Sequence, residues 1–531
     1  MALDTLLSNA NTPLSLTVLA IALVATAYFY AFARPTFAKN TPPYTSETWP
    51  IIGSMQFFTQ RWSFFQRQMA HSSSGNFSFH VGDKQVVALS GDESRRVFFD
   101  SKSLGFTEGY AALLGGSPTV EQKGEDGKIP GEDDQFSNYF SKRLIAMLKG
   151  PLLAKGLPQL LEDVRFRLDE LVDKKDPTTD PFDSIYRIVF QLTMRTVACN
   201  EIAGNPELLE KVLGLYETIE NTASAWLIMY PWLPTPSKFR RTYAGAQLYM
   251  IFKNVVDART KEDRREEDAL QYLMDQGDDI TKIITCEFFS RFLTLSLDHV
   301  LIISSKVVLG ALFAGQLNSG INAAWILVYL THNSLWRHTV LDEVNSIADK
   351  YNADKSLPLK ERLMTVPISA WESEFPMIDL CLKDSIRLQM SGTAFRKNTS
   401  GKPISLDKEG REVIPTDAYV TYAVGDIHYN PEIYSQPDEW DPSRYLPERQ
   451  EDKKKQYGWI GWGVSRHPCL GMRFAKLENN IITAFFLAYF EELELLGKDG
   501  QAITPPHVNR DNHSAKKPDG EVRIRYKVRG Y

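Results

Sequence analysis

Residues 461–477, GWGVSRHPCLGMRFAKL, set a cysteine on a tight loop containing Gly and Pro, directly before a run patterned as a helix, with His467 two positions ahead of Cys469. A helix N-terminus and backbone N–H groups lower a thiol's pKa and favour the thiolate that binds a metal, which makes Cys469 a metal-ligand candidate. The plainer reading of an arbitrary cysteine is a buried structural residue, and only the surroundings separate the two. The chain holds four cysteines, Cys199, Cys286, Cys381 and Cys469, with neither CxxC nor Cys/His zinc spacing, so neither a disulfide framework nor a structural zinc site is indicated.

The elements that must position such a loop come from a chain of 531 residues, 43% hydrophobic and 24% charged, with no low-complexity tract: a folded protein with a large core. Its formal net charge of -6, from 60 Lys+Arg against 66 Asp+Glu, argues against nucleic acid as a partner. Residues 5–33 carry no charge, and LSLTVLAIALVATAYFYAFA (14–33) meets the roughly 20 apolar residues that a membrane span takes. A cleavable signal peptide wants a basic start, and here Asp4 is the sole charge before the run, so an anchor is expected. Arg34 and Lys39 then leave the bulk of the chain on the cytosolic side. The expected organisation is an anchor over 1–34, a proline-rich hinge over 35–53 and one large domain over 54–531. A second uncharged run, 307–336, carries Gly310, Gly315, Gln316, Asn318, Ser319, Gly320 and Asn322 mid-run, which suits a buried helix lining a cavity better than a lipid-facing span. The body from 50 to 350 reads as helical with few strand signals, as in 138–175 and 205–225. A β-rich patch follows over 394–426, then irregular chain to about 450, and helix returns after Cys469. The fold class is mainly α with a small β-rich subregion.

At this point the residues resemble the haem-thiolate enzymes called cytochrome P-450, whose haem loop reads F-x-x-G-x-[R/H]-x-C-x-G. Trp462 stands in the Phe place, Ser465 in the first Gly place and His467 in the Arg/His place, while Cys469 and Gly471 match. CLKDSIRLQ (381–389) resembles the family's E-x-x-R helix, with Asp384 for Glu and Arg387 matching. DPSRYLP (441–447) resembles the later Arg-containing loop, with Arg444 completing a carboxylate and two-arginine cluster. AGQLNSGINAAW (314–325) resembles the long oxygen-binding helix. The resemblance covers residues 40–500 and implies a haem b whose iron takes Cys469 as axial thiolate. It implies His467, Arg396 and Arg143 as partners of the haem propionates, with Lys142 able to replace Arg143, and Asp384, Arg387 and Arg444 as structural support of the loop.

Two departures bear on function. The family's acid and Thr in the central helix, which relay protons during oxygen activation, are replaced by Leu317 and Asn318, then Ser319. Leu317 cannot relay a proton and an amide is no useful acid, which leaves water or Ser319, about 100° further round the helix. Asn318 in the Thr place is similar to a branch holding sterol demethylases, bile-acid hydroxylases and a prostaglandin endoperoxide isomerase. Three functions are therefore carried forward. The leading one is an endoplasmic-reticulum monooxygenase that oxidises a lipophilic sterol, terpenoid or other specialised metabolite with O2, fed by an NADPH–cytochrome reductase, with cytochrome b5 open as a second donor. The others are an oxygen-independent isomerase or dehydratase of a peroxide or epoxide, and a degenerate haem protein without activity. Arg466, Arg473 and Lys476 beside the loop are expected either to meet an acidic reductase surface or to form an ordinary solvated face.

Overall fold

The computed structural model describes residues 37–49, 52–113, 135–222, 233–277, 307–390, 392–512 and 514–530, with isolated positions at 17, 20–22, 24, 225 and 229. The anchor expected over 1–34 lies outside the described residues. Among the described residues no helix is long and apolar enough to cross a membrane. Pro43 and Thr45, in the stretch 35–53 assigned to the hinge, and Ser54 just after it are pinned to the body: Thr45 N–H donates to Ser78 O, Ser78 N–H to Pro43 O and Ser54 N–H to His80 O at 2.8–2.9 Å.

The axis of the molecule is the central helix Val307–His332. It ends because Asn333 caps the next helix, Ser334–Tyr351, by accepting from Trp336 N–H at 3.0 Å, which divides the second uncharged run into two elements. Two of its glycines let a neighbour come close. A Cβ at Gly320 would stand 2.7 Å from the Tyr186 ring and one at Gly315 would stand 3.4 Å from Thr193, both on the helix Pro181–Val197. That neighbour begins with Asp180 accepting from Phe182 N–H at 2.8 Å and a proline at its first position. The central helix also packs on Pro376–Gln389 and on Met472–Tyr489, the helix that follows the cysteine.

Beside the helices lies a five-stranded sheet in the order Phe77–Val81, Lys84–Leu89, Tyr419–Ala423, Thr393–Asn398, Leu104–Gly105, antiparallel except for the parallel pair Lys84–Leu89 with Tyr419–Ala423. The β-rich patch was expected, with its short hairpin Ile404–Ser405 and Val413–Ile414. The strands Phe77–Val81 and Lys84–Leu89, in the part read as helical, were not. FSFHV does alternate apolar and polar residues, but over five positions only, and KQVVAL ends in a continuous apolar run, so neither stands out from the helical pattern around them. The fold is mainly helical with small sheets, and its three-stranded sheet Thr178–Thr179, Arg523–Val528, Phe490–Leu496 closes the C-terminal end.

Candidate active site

The cysteine loop is a tight structure because two of its residues turn left-handed. Gly463 has φ +68°, and a Cβ there would lie 2.3 Å from His467 O. Ser465, in the place where the pattern has Gly, adopts φ +56°, a conformation a side chain disfavours by about 1 kcal/mol. Its hydroxyl donates to Asp100 Oδ1 at 2.6 Å, as does that of Tyr457, so the strained residue is tethered. The loop closes by Cys469 N–H donating to Trp462 O at 2.7 Å. Trp462 thus contributes a carbonyl as well as a ring, which meets Trp459 edge-on at 6.4 Å.

Cys469 is exposed, while Cys199 and Cys381 are buried. The chain around its sulfur is still dense enough that desolvation raises the thiol pKa, with the N–H groups of Gly471 and Met472 pulling it down. The expected net lowering is therefore not what the protein alone produces. Burial opposes the two N–H groups, and a bound metal would favour the thiolate further. Leu470 and Met472 beside it are 38% and 40% exposed, an apolar surface left open around the ligand candidate.

Arg396 and His467 come together. Arg396, on the strand Thr393–Asn398, is 3% exposed; it donates to Phe395 O at 2.7 Å and lies over the Phe106 and Phe98 rings at 4.8 and 4.9 Å. His467 stacks on that same Phe106 at 4.8 Å. Burial pushes Arg396 down to about 10. His467 falls to about 4 through burial and then the positive charges of Arg396 and Arg466, so it is neutral near pH 7. Among the described residues Arg396 has no carboxylate partner. A buried guanidinium without an anion is costly, and the arrangement fits a planar, largely apolar group that carries carboxylates and a metal for Cys469. Arg143 donates to Gln276 Oε1 at 3.1 Å and faces the Tyr272 ring at 6.0 Å, while Lys142 is exposed.

Beneath the loop, Asp384, Arg387 and Arg444 are each at most 1% exposed. Arg387 holds Asp384 through two bonds, Nε to Oδ1 at 2.7 Å and Nη2 to Oδ2 at 3.3 Å, and donates to the carbonyls of His428, Pro437 and Glu439. Asp384 also accepts from Tyr445 Oη and Asp441 N–H. Its approach to Arg444 is a long one, 3.9 Å from Oδ1 to Nε. Arg444 binds Glu451 at 3.0 Å instead, and Arg449 bridges Glu451 to Asp441. His428 passes the network to the loop: its Nε2 accepts from Ile460 N–H at 3.0 Å. Glu451, Tyr445, Arg449, His428 and Phe106 were not foreseen. No motif marks Glu451, Arg449, His428 or Phe106, which packing alone brings in; Tyr445 stands inside DPSRYLP, but its bond to Asp384 is made only in the folded chain.

On the central helix Asn318 is exposed and its carbonyl accepts from Asn322 Nδ2 at 2.8 Å, while Ser319 is buried. Leu317 lies on the same turn. The basic face beside the loop is largely spent within the chain. Arg473 makes two bonds to Glu372 at 2.7 and 2.9 Å, and Lys476 pairs with Asp379 at 2.5 Å, so neither offers an uncompensated charge to a reductase.

The cytochrome P450 family model matches residues 42–509. The chain belongs to the cytochrome P450 family. It is 33% identical over 460 residues to the cytochrome P450 monooxygenase AacuE of Aspergillus aculeatus, covering 86% of this chain and 87% of that one. It is 32% identical to the cytochrome P450 monooxygenase nsrP of Aspergillus novofumigatus, covering 89% and 87%. The sterol 14-demethylase of Arabidopsis thaliana is 23% identical over 97% of both chains. A solved structure described as retinoic acid bound cyanobacterial CYP120A1 shares the fold, with a TM-score of 0.63, 18% identity and coverage of 93% of this chain and 100% of that one. This P450 is thus a haem monooxygenase of lipophilic substrates, whose haem iron takes its cysteine thiolate, Cys469. When bound, the haem supplies the oxygen-activating redox chemistry, and the chain holds and shields it.

Proposed function

We propose that this P450 inserts one oxygen atom of O2 into a sterol, terpenoid or comparably rigid lipophilic metabolite, with electrons passed from NADPH by a membrane-bound reductase. The observation that carries the reading is the joining of Arg396 and His467 through Phe106 beside the exposed Cys469. In this reading Arg396 and His467 take the haem propionates, and Trp462 holds the ligand loop in register. Arg143, engaged with Gln276, would have to exchange that bond for a propionate. Asn318 faces the oxygen side as a hydrogen-bonding group, and Ser319 stands behind it. The sterol 14-demethylase of Arabidopsis thaliana and the obtusifoliol 14-alpha demethylase of Sorghum bicolor among the relatives support the substrate class. The uncharged N-terminal run with Arg34 and Lys39 after it supports an anchor in the endoplasmic reticulum and a cytosolic catalytic domain.

The test is reductase-dependent NADPH oxidation by the haem-loaded protein across a panel of sterols and terpenoids. The expected result is product carrying one atom from labelled O2. Conversion of a peroxide or epoxide at the same rate without NADPH would show isomerase chemistry instead.

A further inference from the structure

Two buried arginines meet the strand Thr393–Asn398 without a carboxylate among the described residues, and a haem accounts for one of them. Arg396 stands on one face of the strand and shares Phe106 with His467. Arg61, the first residue of the helix Arg61–His71, reaches the other face, to which Thr393 and Phe395 belong. It is 3% exposed, and its guanidinium lies over the Phe57 ring at 4.5 Å and the Phe395 ring at 5.9 Å. Its Nε donates to Phe57 O at 2.9 Å and its Nη1 to Thr393 Oγ1 at 3.2 Å. These bonds use two of the five N–H groups, so one on Nη1 and both on Nη2 have no acceptor among the described residues. Nη2 is not among the unpartnered polar atoms that the chain seals off, so this edge of the guanidinium stays open. Arg95, Arg259, Arg387 and Arg444 are buried as deeply, and each meets a carboxylate. Burial lowers the Arg61 pKa to about 9, which leaves it a cation near pH 7. A cation taken from water without a counter-ion is costly, and two neutral acceptors do not offset that cost.

The surroundings indicate what carries the missing anion. From Phe395 a row of rings runs through Tyr110 at 5.4 Å and Phe106 at 4.5 Å to His467 at 4.8 Å, two residues from Cys469. A cation stands at one end of this aromatic wall and the cysteine loop at the other. We propose that Arg61 and Thr393 bind a carboxylate carried by the substrate, so that this P450 takes a lipophilic acid whose apolar body lies along Phe395, Tyr110 and Phe106. The inference rests on the oxygen-inserting reading and narrows its substrate class. The two terminal nitrogens of Arg61 match a carboxylate's two oxygens, and Thr393, having accepted one bond, keeps its own O–H to donate. Arg61 touches no reacting atom. It decides which molecules bind and which end of them is turned away from the iron.

The test is binding to the full-length, haem-loaded protein of lithocholic acid and abietic acid, a steroid and a diterpene carboxylic acid, each beside its methyl ester. Binding is read from the shift of the haem Soret band and from equilibrium dialysis. The acids are expected to bind about ten- to a hundredfold more tightly than the esters, the worth of a charge-assisted bond. Arg61→Gln and Arg61→Met are expected to abolish that preference with the ester affinity kept, Arg61→Lys to retain part of it, and Thr393→Val to reduce it less than Arg61→Gln does. Because Arg61→Met removes an uncompensated charge, its urea midpoint is expected to be no lower than that of the wild type. Acids that bind no better than their esters, or not at all, overturn the proposal, as does a preference that survives in Arg61→Gln. Equal loss of acid and ester with a lowered urea midpoint marks a structural arginine and overturns it too. Should the glutamine and methionine variants fail to hold haem, Arg61→Lys and Thr393→Val carry the same comparison. Acids that bind in preference but stay unoxidised with NADPH and reductase refute the oxygen-inserting reading and leave the carboxylate site standing. Esters bound and oxidised as well as acids refute the site and leave oxygen insertion standing.

Discussion

Asp384 and Glu478 are both fully buried carboxyl groups on helices that pack against the central helix, and they differ in their company. Asp384 meets the Arg387 guanidinium, a tyrosine hydroxyl and a backbone N–H, and the arginines around it consume the carbonyls of an irregular segment between His428 and Glu439. Among the described residues Glu478 meets no cation and no hydrogen-bond donor in bonding geometry. The first arrangement holds chain in place: each bond fixes backbone that has no regular secondary structure of its own, and His428 transmits the result to Ile460 and the cysteine loop. The second arrangement costs stability and fixes little: an acid buried without a cation is held in its neutral form.

The comparison breaks most readily at Arg387. Replacing it with Ala strands the Asp384 carboxylate and three carbonyls, an expected loss of about 3–5 kcal/mol with failure to retain haem, read by urea denaturation and the Soret band. A stable, haem-loaded Arg387→Ala protein would show that the network is not what seats the loop.

The next effect is in pH and has opposite signs in the two regions. Glu478 has its pKa raised from 4.5 to about 8, so the folded state binds the extra proton and stability falls as pH rises from 4.5 toward 8. Burial lowers His428 from 6.5 to about 3, so the unfolded state binds the proton and stability falls as pH drops from 6.5 toward 3. Each slope is at most about 1.4 kcal/mol per pH unit. Glu478→Gln is expected to flatten the curve above pH 6.5 and His428→Asn below pH 4.5, the two slopes opposing each other in between, measured as urea midpoints from pH 3 to 8. Flattening on the wrong side would refute the assignment.

The smallest effect sharpens the division of labour inside the network. Glu451→Gln weakens the charge-assisted bond that Arg444 makes at 3.0 Å, at an expected cost of about 1–3 kcal/mol. With Asp384→Glu, which restores the missing methylene toward Arg444, the cost is expected to shrink. An identical cost in both backgrounds would mean that Glu451 does not stand in for the reach Asp384 lacks.

What the sequence made legible follows from how local each signal is. Cys469, His467 and Gly471 sit in one loop, and Asp384 and Arg387 on one helical turn, so short patterns expose them. Glu451 completes Arg444 from an irregular segment, and Phe106 joins Arg396 to His467 from a distant helix, contacts that only the folded chain creates. The strand Phe77–Val81 shows a period of two over five residues only, and Lys84–Leu89 ends in a continuous apolar run, so both pass unnoticed among longer helical patterns. Glu478 left one readable trace, an acid inside the apolar run FAKLENNIITAFF, but its isolation is a property of the packed interior. At Cys469 the N–H groups of Gly471 and Met472 pull the pKa down as the start of a helix implies, and the burial that opposes them is decided by packing.

The central claim is that Cys469 holds a live haem despite Asp384 and Ser465 in places where the pattern has other residues. The absorbance spectrum of the purified protein, reduced and exposed to carbon monoxide, tests it beside a Cys469→Ala control. The account predicts the red-shifted Soret band of thiolate ligation in the wild type and its loss in the control. A protein without haem, or a band indifferent to the loss of Cys469, would contradict it.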